Sequence, residues 1–134
     1  MIQLLVNIDV PDLEAATKFY VDAFGLTVGR RMGSEFRELL GAAVPIYLLT
    51  KQAGSVPVPG VAARSFDRHW TPVHLDIAVP DLEAALARAV AAGARAESGI
   101  TAHAWGRMVL LSDPFGNGID LLDLTPGYDA IVER

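Results

Sequence analysis

Two stretches of the chain alternate apolar and polar residues in nearly the same way. In L-V-N-I-D-V the apolar set is Leu4, Val6, Ile8 and Val10, with Leu5, Asn7 and Asp9 between them, a period of two that predicts a strand with its apolar face against a helix. In V-H-L-D-I-A-V the set recurs as Val73, Leu75, Ile77 and Val79, leaving His74, Asp76 and Ala78 on the other side. Each stretch runs into the same seven letters, V-P-D-L-E-A-A, at 10–16 and again at 79–85. There Pro11 or Pro80 ends the strand ladder, Asp12 or Asp81 caps the next amides, and Glu14 or Glu83 sits at the positive end of a helix dipole. The period then lengthens to that of a helix. Ala15, Ala16, Phe19, Tyr20, Ala23 and Phe24, closed by Gly25, make one apolar stripe; Ala85, Leu86, Ala89 and Val90, closed by Gly93, make the other.

Three β-rich runs follow each helix: 26–31, 35–40 and 45–50 in the first half, 94–99, 104–112 and 118–124 in the second. The clearest turn between them is D-P-F-G-N-G at 113–118. Each half reads β-α-β-β-β, so the chain is a tandem of two like modules. The expected organisation is one α+β structural domain: a first module over 1–50, a connector over 51–70, a second module over 71–125 and a tail over 126–134. The connector, rich in Gly, Pro, Val and Ala, is long enough to be a partly mobile flap.

Composition narrows the chemistry. At 134 residues and 51% hydrophobic, the chain can bury roughly two thirds of its unfolded surface as an ordinary soluble domain. It has no cysteine, which removes disulfides, thiolate nucleophiles and zinc–thiolate sites. No apolar run approaches the ~20 residues of a membrane span, and no export signal is read, so a cytoplasmic protein is expected. With net charge −5 and 11 thinly spread Lys and Arg, there is no basic stripe for nucleic acid. The acidity mildly favours a cationic or neutral ligand.

The tandem β-α-β-β-β pair, F-Y at 19–20 and D-P-x-G-N at 113–117 together resemble the vicinal oxygen chelate superfamily, which includes glyoxalase I, extradiol dioxygenases, fosfomycin resistance enzymes and bleomycin-binding proteins. The resemblance spans Ile2 to Leu124 and implies the glyoxalase/bleomycin-resistance fold, two modules whose curled mixed sheets form a cup. It implies, for the enzymes, one divalent metal held by up to four His or Glu ligands from the first and last strand of each module. An offset of 69 pairs Leu5 with His74 and Asn7 with Asp76; an offset of 72 pairs Leu48 with Asp120. The implied ligand positions thus hold Leu5, Leu48, His74 and Asp120. Leucine offers a metal nothing, and the expectation is that no metal cofactor binds at the standard site, with a His74, Asp76 and Asp120 cluster as the weaker divalent-metal alternative.

His74 is either a buried histidine bonded to Asp120 or Asp76, or a base oriented by a carboxylate inside the cup. His103, Trp105 and Arg107 fall on one face of the same run, as pocket lining that grips a ligand or as an edge or dimer contact. His69 and Trp70 close over the cup or tack the connector down. Tyr47 is assigned to the helix side, and Phe19 and Tyr20 to the core. The expected function is binding of a small organic molecule in the cup, with His74 and Asp120 as catalytic candidates and Asn7, Asp76, His103, Trp105 and Arg107 as substrate-binding ones. The alternative is an enzyme of the lyase, isomerase or dioxygenase type, using His74 with Asp120 or Asp76 as an incomplete metal site or His74 as a metal-free general base. A homodimer follows from the resemblance and from the sheet edges.

Overall fold

In the computed structural model, which describes residues 1–131, contacts gather into two compact units, one ending at Asp67 and the other beginning at Arg68. The first holds β1 (Val6–Val10), α1 (Leu13–Phe24), β2 (Thr27–Met32), β3 (Phe36–Leu40) and β4 (Ile46–Thr50). Its sheet runs β1-β4-β3-β2, with β1 parallel to β4 and the other pairs antiparallel. The second holds β5 (Leu75–Ala78), α2 (Leu82–Ala92), β6 (Arg95–Ala96), β7 (Thr101–His103), β8 (Gly106–Ser112) and β9 (Gly118–Asp123). Its order is β5-β9-β8-β6, with β5 parallel to β9 and with β7 sharing the β6 edge of β8. The architecture is α+β, two open mixed sheets each crossed by one α-helix.

The repeated heptad opens both helices by the same means. Asp12 Oδ1 accepts from the Ala15 N–H at 3.0 Å and Asp81 Oδ1 from the Ala84 N–H at 3.1 Å, satisfying amides that lack a partner within the helix. Its glutamate does more than complement the dipole. Arg37 on β3 donates to Glu14 at 2.5 Å, and Arg107 on β8 donates to Glu83 at 2.5 and 3.2 Å. In each module an arginine of the sheet thus reaches the first turn of the helix, which identifies the helix side of that sheet.

That side corrects several expected faces. Antiparallel partners share a face, so Leu48, opposite Arg37, points toward α1 and is 0% exposed. Tyr47, opposite Glu38, points the other way, where the two rings of Tyr47 and Phe36 meet edge to face at 4.9 Å. The expected assignment had this pair reversed, because the turn before β4 is one residue different in register from its counterpart before β9. Leu4 and Val73 precede their strands and are exposed. On the helices, Ala15 and Val90 are exposed, and α2 buries only Leu82 and Ala89 where α1 buries Leu13, Ala16, Phe19, Tyr20 and Ala23.

The run 104–112 divides: Ala104 and Trp105 form the turn of a β7–β8 hairpin, and β7 lies before it. Glycine is required there, since Gly106 has φ 151 and a side chain on it would collide with the Asp123 carbonyl. The connector is held at its base within the first unit. Gly54 N–H donates to Arg64 O and Arg64 N–H to Ser55 O, both at 2.8 Å, and Arg64 Nε pairs with Asp9 at 2.8 Å. Of the tail, Tyr128–Ala130 make a 3-10 turn; residues 132–134 lie outside the described residues.

The face assignment has a measurable consequence. Leu48→Ala is expected to lower stability by about 2–5 kcal/mol in urea denaturation, whereas Val90→Thr on α2 changes it by less than about 0.5 kcal/mol. Equal losses at the two positions would contradict the assignment of Leu48 to the helix side.

Candidate functional site

The side of the second sheet away from α2 carries the site. Parallel pairing sets Asp76 of β5 directly beside Asp120 of β9, and antiparallel pairing sets Leu110 of β8 on the other flank of Asp120. His74 stands one residue before β5. Its Nε2 lies 3.2 Å from Asp76 Oδ1 and 3.2 Å from Asp120 Oδ2, so one imidazole nitrogen serves two carboxylates. The side chains are 41%, 50% and 14% exposed for His74, Asp76 and Asp120, which leaves the cluster reachable from solvent.

A cavity of about 140 Å³ opens on this face. His74, Asp120 and Leu110 line it from the sheet, His69, Trp70 and Thr71 from the segment that leads into β5. Trp70 is 76% exposed, so it lines the cavity without being a core anchor. His69 is placed by its backbone, whose N–H donates to Gly116 O at 3.1 Å. Gly116 belongs to the D-P-F-G-N-G turn, which the buried Asp113 carboxylate organises by accepting from Phe115 N–H, Asn117 N–H and Asn117 Nδ2 at 2.8–2.9 Å.

Two charged residues of the wall were not singled out by the sequence reading. Arg68 Nε and Nη2 donate to the two oxygens of Glu97 at 2.6 and 2.8 Å, and Arg68 Nη1 donates to the His69 carbonyl. Glu97 lies where the edge strand breaks between β6 and β7. Its N–H still bonds Leu110 O at 2.7 Å, and Ser98 Oγ then accepts from Leu110 N–H at 3.0 Å. Gly118 makes room opposite: a side chain there would begin 3.1 Å from Arg68 Nη2. The available signals were an arginine beside H-W at the end of the connector and a glycine opening the last strand.

The electrostatics follow these contacts. The hydrogen bonds from Arg68 hold the Glu97 carboxyl below its usual range, and Glu97 raises Arg68 in turn. Burial and the neighbouring Asp76 carboxyl push Asp120 up, against a smaller opposing pull from His74.

The other named residues stand elsewhere. Arg107 is on the helix side of β8, paired with Glu83 and with Asp123 at 3.1 Å; the strand alternation that grouped it with His103 and Trp105 stops at the hairpin turn. His103 and Trp105 stack on each other, centroids 5.1 Å apart and planes 1° from parallel, with Thr101 Oγ1 2.9 Å from His103 Nε2. None of these three lines the cavity. Asn7 belongs to the first unit, opposite Tyr47 on the side of that sheet away from α1. The same face holds Glu38, buried to 1%, whose carboxylate accepts from Arg30 N–H at 3.1 Å and Arg30 Nη1 at 2.8 Å.

Strand pairing also tests the metal arrangement that the resemblance implies. Asn7 pairs with Tyr47 as Asp76 pairs with Asp120, so the positions in the first module are Leu5 and Tyr47, the latter replacing Leu48. A leucine and a phenol do not complete a set of four His or carboxylate donors, and the standard site does not fit. What the described residues offer is smaller: His74, Asp76 and Asp120, with one ligand atom each within 4.8 Å of one another.

Comparison with known proteins agrees with the architecture. The profile of the glyoxalase-like domain family matches residues 5–122. No curated protein sequence matches the chain. Among solved structures, TioX from Micromonospora sp. ML1 is similar at TM-score 0.71 and 18% identity, covering 92% of this chain and 99% of that one. A variant of the fosfomycin resistance protein FosX from Listeria monocytogenes, complexed with Mn(II) and 1S,2S-dihydroxypropylphosphonic acid, is similar at TM-score 0.71 and 18% identity, covering 94% of each chain. A glyoxalase/bleomycin resistance protein from Albidiferax ferrireducens T118 is similar at TM-score 0.63 and 25% identity, covering 89% of this chain and 95% of that one. Among the described residues no helix is long and apolar enough to cross a membrane.

The Asp120 carboxyl gives the site a pH signature. Its folded pKa is raised above the ordinary 3.8, so its contribution to stability is complete below that value and is lost as pH rises through the folded pKa. Asp120→Asn removes the loss. The stability of the variant relative to the parent chain should therefore climb as pH is raised above 3.8, and urea midpoints taken in small pH steps measure it. A relative stability that falls over that interval would show that His74 outweighs burial and Asp76.

Proposed function

The chain belongs to the glyoxalase-like domain family, and we propose that it binds a small organic molecule in the cavity of its second module, without the standard four-ligand metal. The observation that carries this reading is the convergence of an exposed tryptophan, an imidazole and the Asp120 carboxyl, itself beside Asp76, on one cavity of about 140 Å³. A void of about 150 Å³ admits a benzene ring, so the cavity suits a molecule of that order, with substituents extending to solvent. Trp70 supplies a planar face, Leu110 an apolar wall, and His74 and Asp120 the polar groups that orient a ligand.

His74 Nε2 faces the carboxyl groups of Asp76 and Asp120, which favours the hydrogen on that nitrogen and leaves Nδ1 as the one to exchange a proton with a ligand. In an enzyme this group would be the base toward a carbon acid beside a carbonyl, which fits a lyase or isomerase. A second reading rests on the close approach of the ligand atoms of His74, Asp76 and Asp120. One imidazole and two carboxylates are donors for a hard or borderline divalent ion. We further propose a cytoplasmic homodimer, whose dimeric mass light scattering tests directly.

A thermal-shift screen of planar molecules near benzene in size, with and without divalent metals, separates the readings. A ligand that binds only the folded chain at 100 times its Kd adds about 2.7 kcal/mol, and the shift should vanish in Trp70→Ala and His74→Ala. Metal content of the purified chain is the second arm. One equivalent of divalent ion, lost in His74→Ala, would favour the partial metal site over the metal-free cavity.

A further inference from the structure

On the footing that this cavity takes a small organic molecule, we infer that it selects an organic cation, and that Glu97 sets the selection by occupying Arg68. Among the described residues lining the cavity, Arg68 is the one permanent cation. A carboxylate or phosphate ligand would seek the paired N–H edge of that guanidinium. Glu97 already takes the Nε–Nη2 edge at 2.6 and 2.8 Å, and the His69 carbonyl accepts from Nη1. The paired Nε–Nη2 edge is therefore taken by the chain itself, and three of the five guanidinium N–H groups have an acceptor.

With Arg68 and Glu97 offsetting each other, the remaining charge is that of Asp76 and Asp120 against His74. The balance is negative. An anion entering here meets the Asp120 carboxyl, with Asp76 beside it, and a guanidinium whose Nε–Nη2 edge is taken; a cation meets the carboxyl and Trp70. Trp70 and Leu110 favour an organic cation with a flat apolar body over a bare ion. The glycine at 118 eases this arrangement, because a side chain there would begin 3.1 Å from Arg68 Nη2 and crowd it. Glu97 is thus a specificity-determining residue; it sorts ligands by charge and takes no part in proton transfer.

Three probes of nearly one shape test this in the full-length chain by calorimetry: benzamidine, benzamide and benzoate. Benzamidine is expected to bind about tenfold tighter than benzamide, and benzoate weakest. In Glu97→Gln, benzamidine should weaken and benzoate should tighten, each by about tenfold. Asp120→Asn leaves the Arg68–Glu97 pair in place and should weaken benzamidine without admitting benzoate, so the charge argument stays testable even where Glu97→Gln fails to fold. Binding of benzoate or benzamide as tight as that of benzamidine overturns the selection while leaving the small-molecule reading intact. Failure of all three to bind overturns the small-molecule reading and the selection with it.

Discussion

In each module the first strand lies parallel to the last, and this pairing decides which side chains stand together on each face. Parallel neighbours cannot be joined by a tight turn, so the chain must cross over. The helix that follows V-P-D-L-E-A-A, with the strands after it, is that crossover. Once the helix occupies one side, parity does the rest. Val6, Ile8, Ile46 and Leu48 share the α1 side, while Asn7 and Tyr47 share the other. In the second module the corresponding side holds Asp76 and Asp120. The glutamate of each heptad, paired to Arg37 or Arg107, keeps the first turn of the helix against its sheet. The two arginines stand two residues apart in strand register, so each module ties down the same glutamate from a different place.

Much of this was legible in the chain. The repeated heptad marked both strand-to-helix junctions, and Asp12 and Asp81 cap as their positions require. The open-face membership of Asp76 followed from alternation within its strand, while Asp120 was reached through the offset between the modules and the resemblance. Alternation failed wherever a turn intervened. Tyr47 and Leu48 exchanged faces because the spacing from turn to strand differs by one residue between modules, and a slip of one inverts every side chain. His103 and Trp105 lost their link to Arg107 because Ala104 and Trp105 form a hairpin turn inside an otherwise strand-like run. Arg68 and Glu97 were illegible for another reason. Their pairing spans 29 residues of sequence, and neither carries a local pattern that announces a partner.

The two modules have put the same scaffold to different uses. In the first, the side of the sheet away from α1 is closed on itself: Glu38 is buried, and Arg30 donates to it from backbone and guanidinium alike. Gly29 permits that approach, since a side chain there would meet Glu38 Oε1 at 2.6 Å. At the corresponding place beside Asp120 the second module has Leu110, which makes no demand for a cationic partner. The carboxyl groups there are left to one another and to His74, and they remain partly exposed.

The same contrast bears on the Arg68–Glu97 pair. Partly exposed ion pairs contribute little to stability, with a median of about 0–1 kcal/mol, so folding alone gives weak reason to stand two long charged side chains at the wall of a small cavity. Without Glu97 the Nε–Nη2 edge of the Arg68 guanidinium, at the cavity wall, would lose its acceptor from the chain. The break in the edge strand between β6 and β7, which looks like an irregularity of the sheet, is what delivers that carboxylate to Arg68.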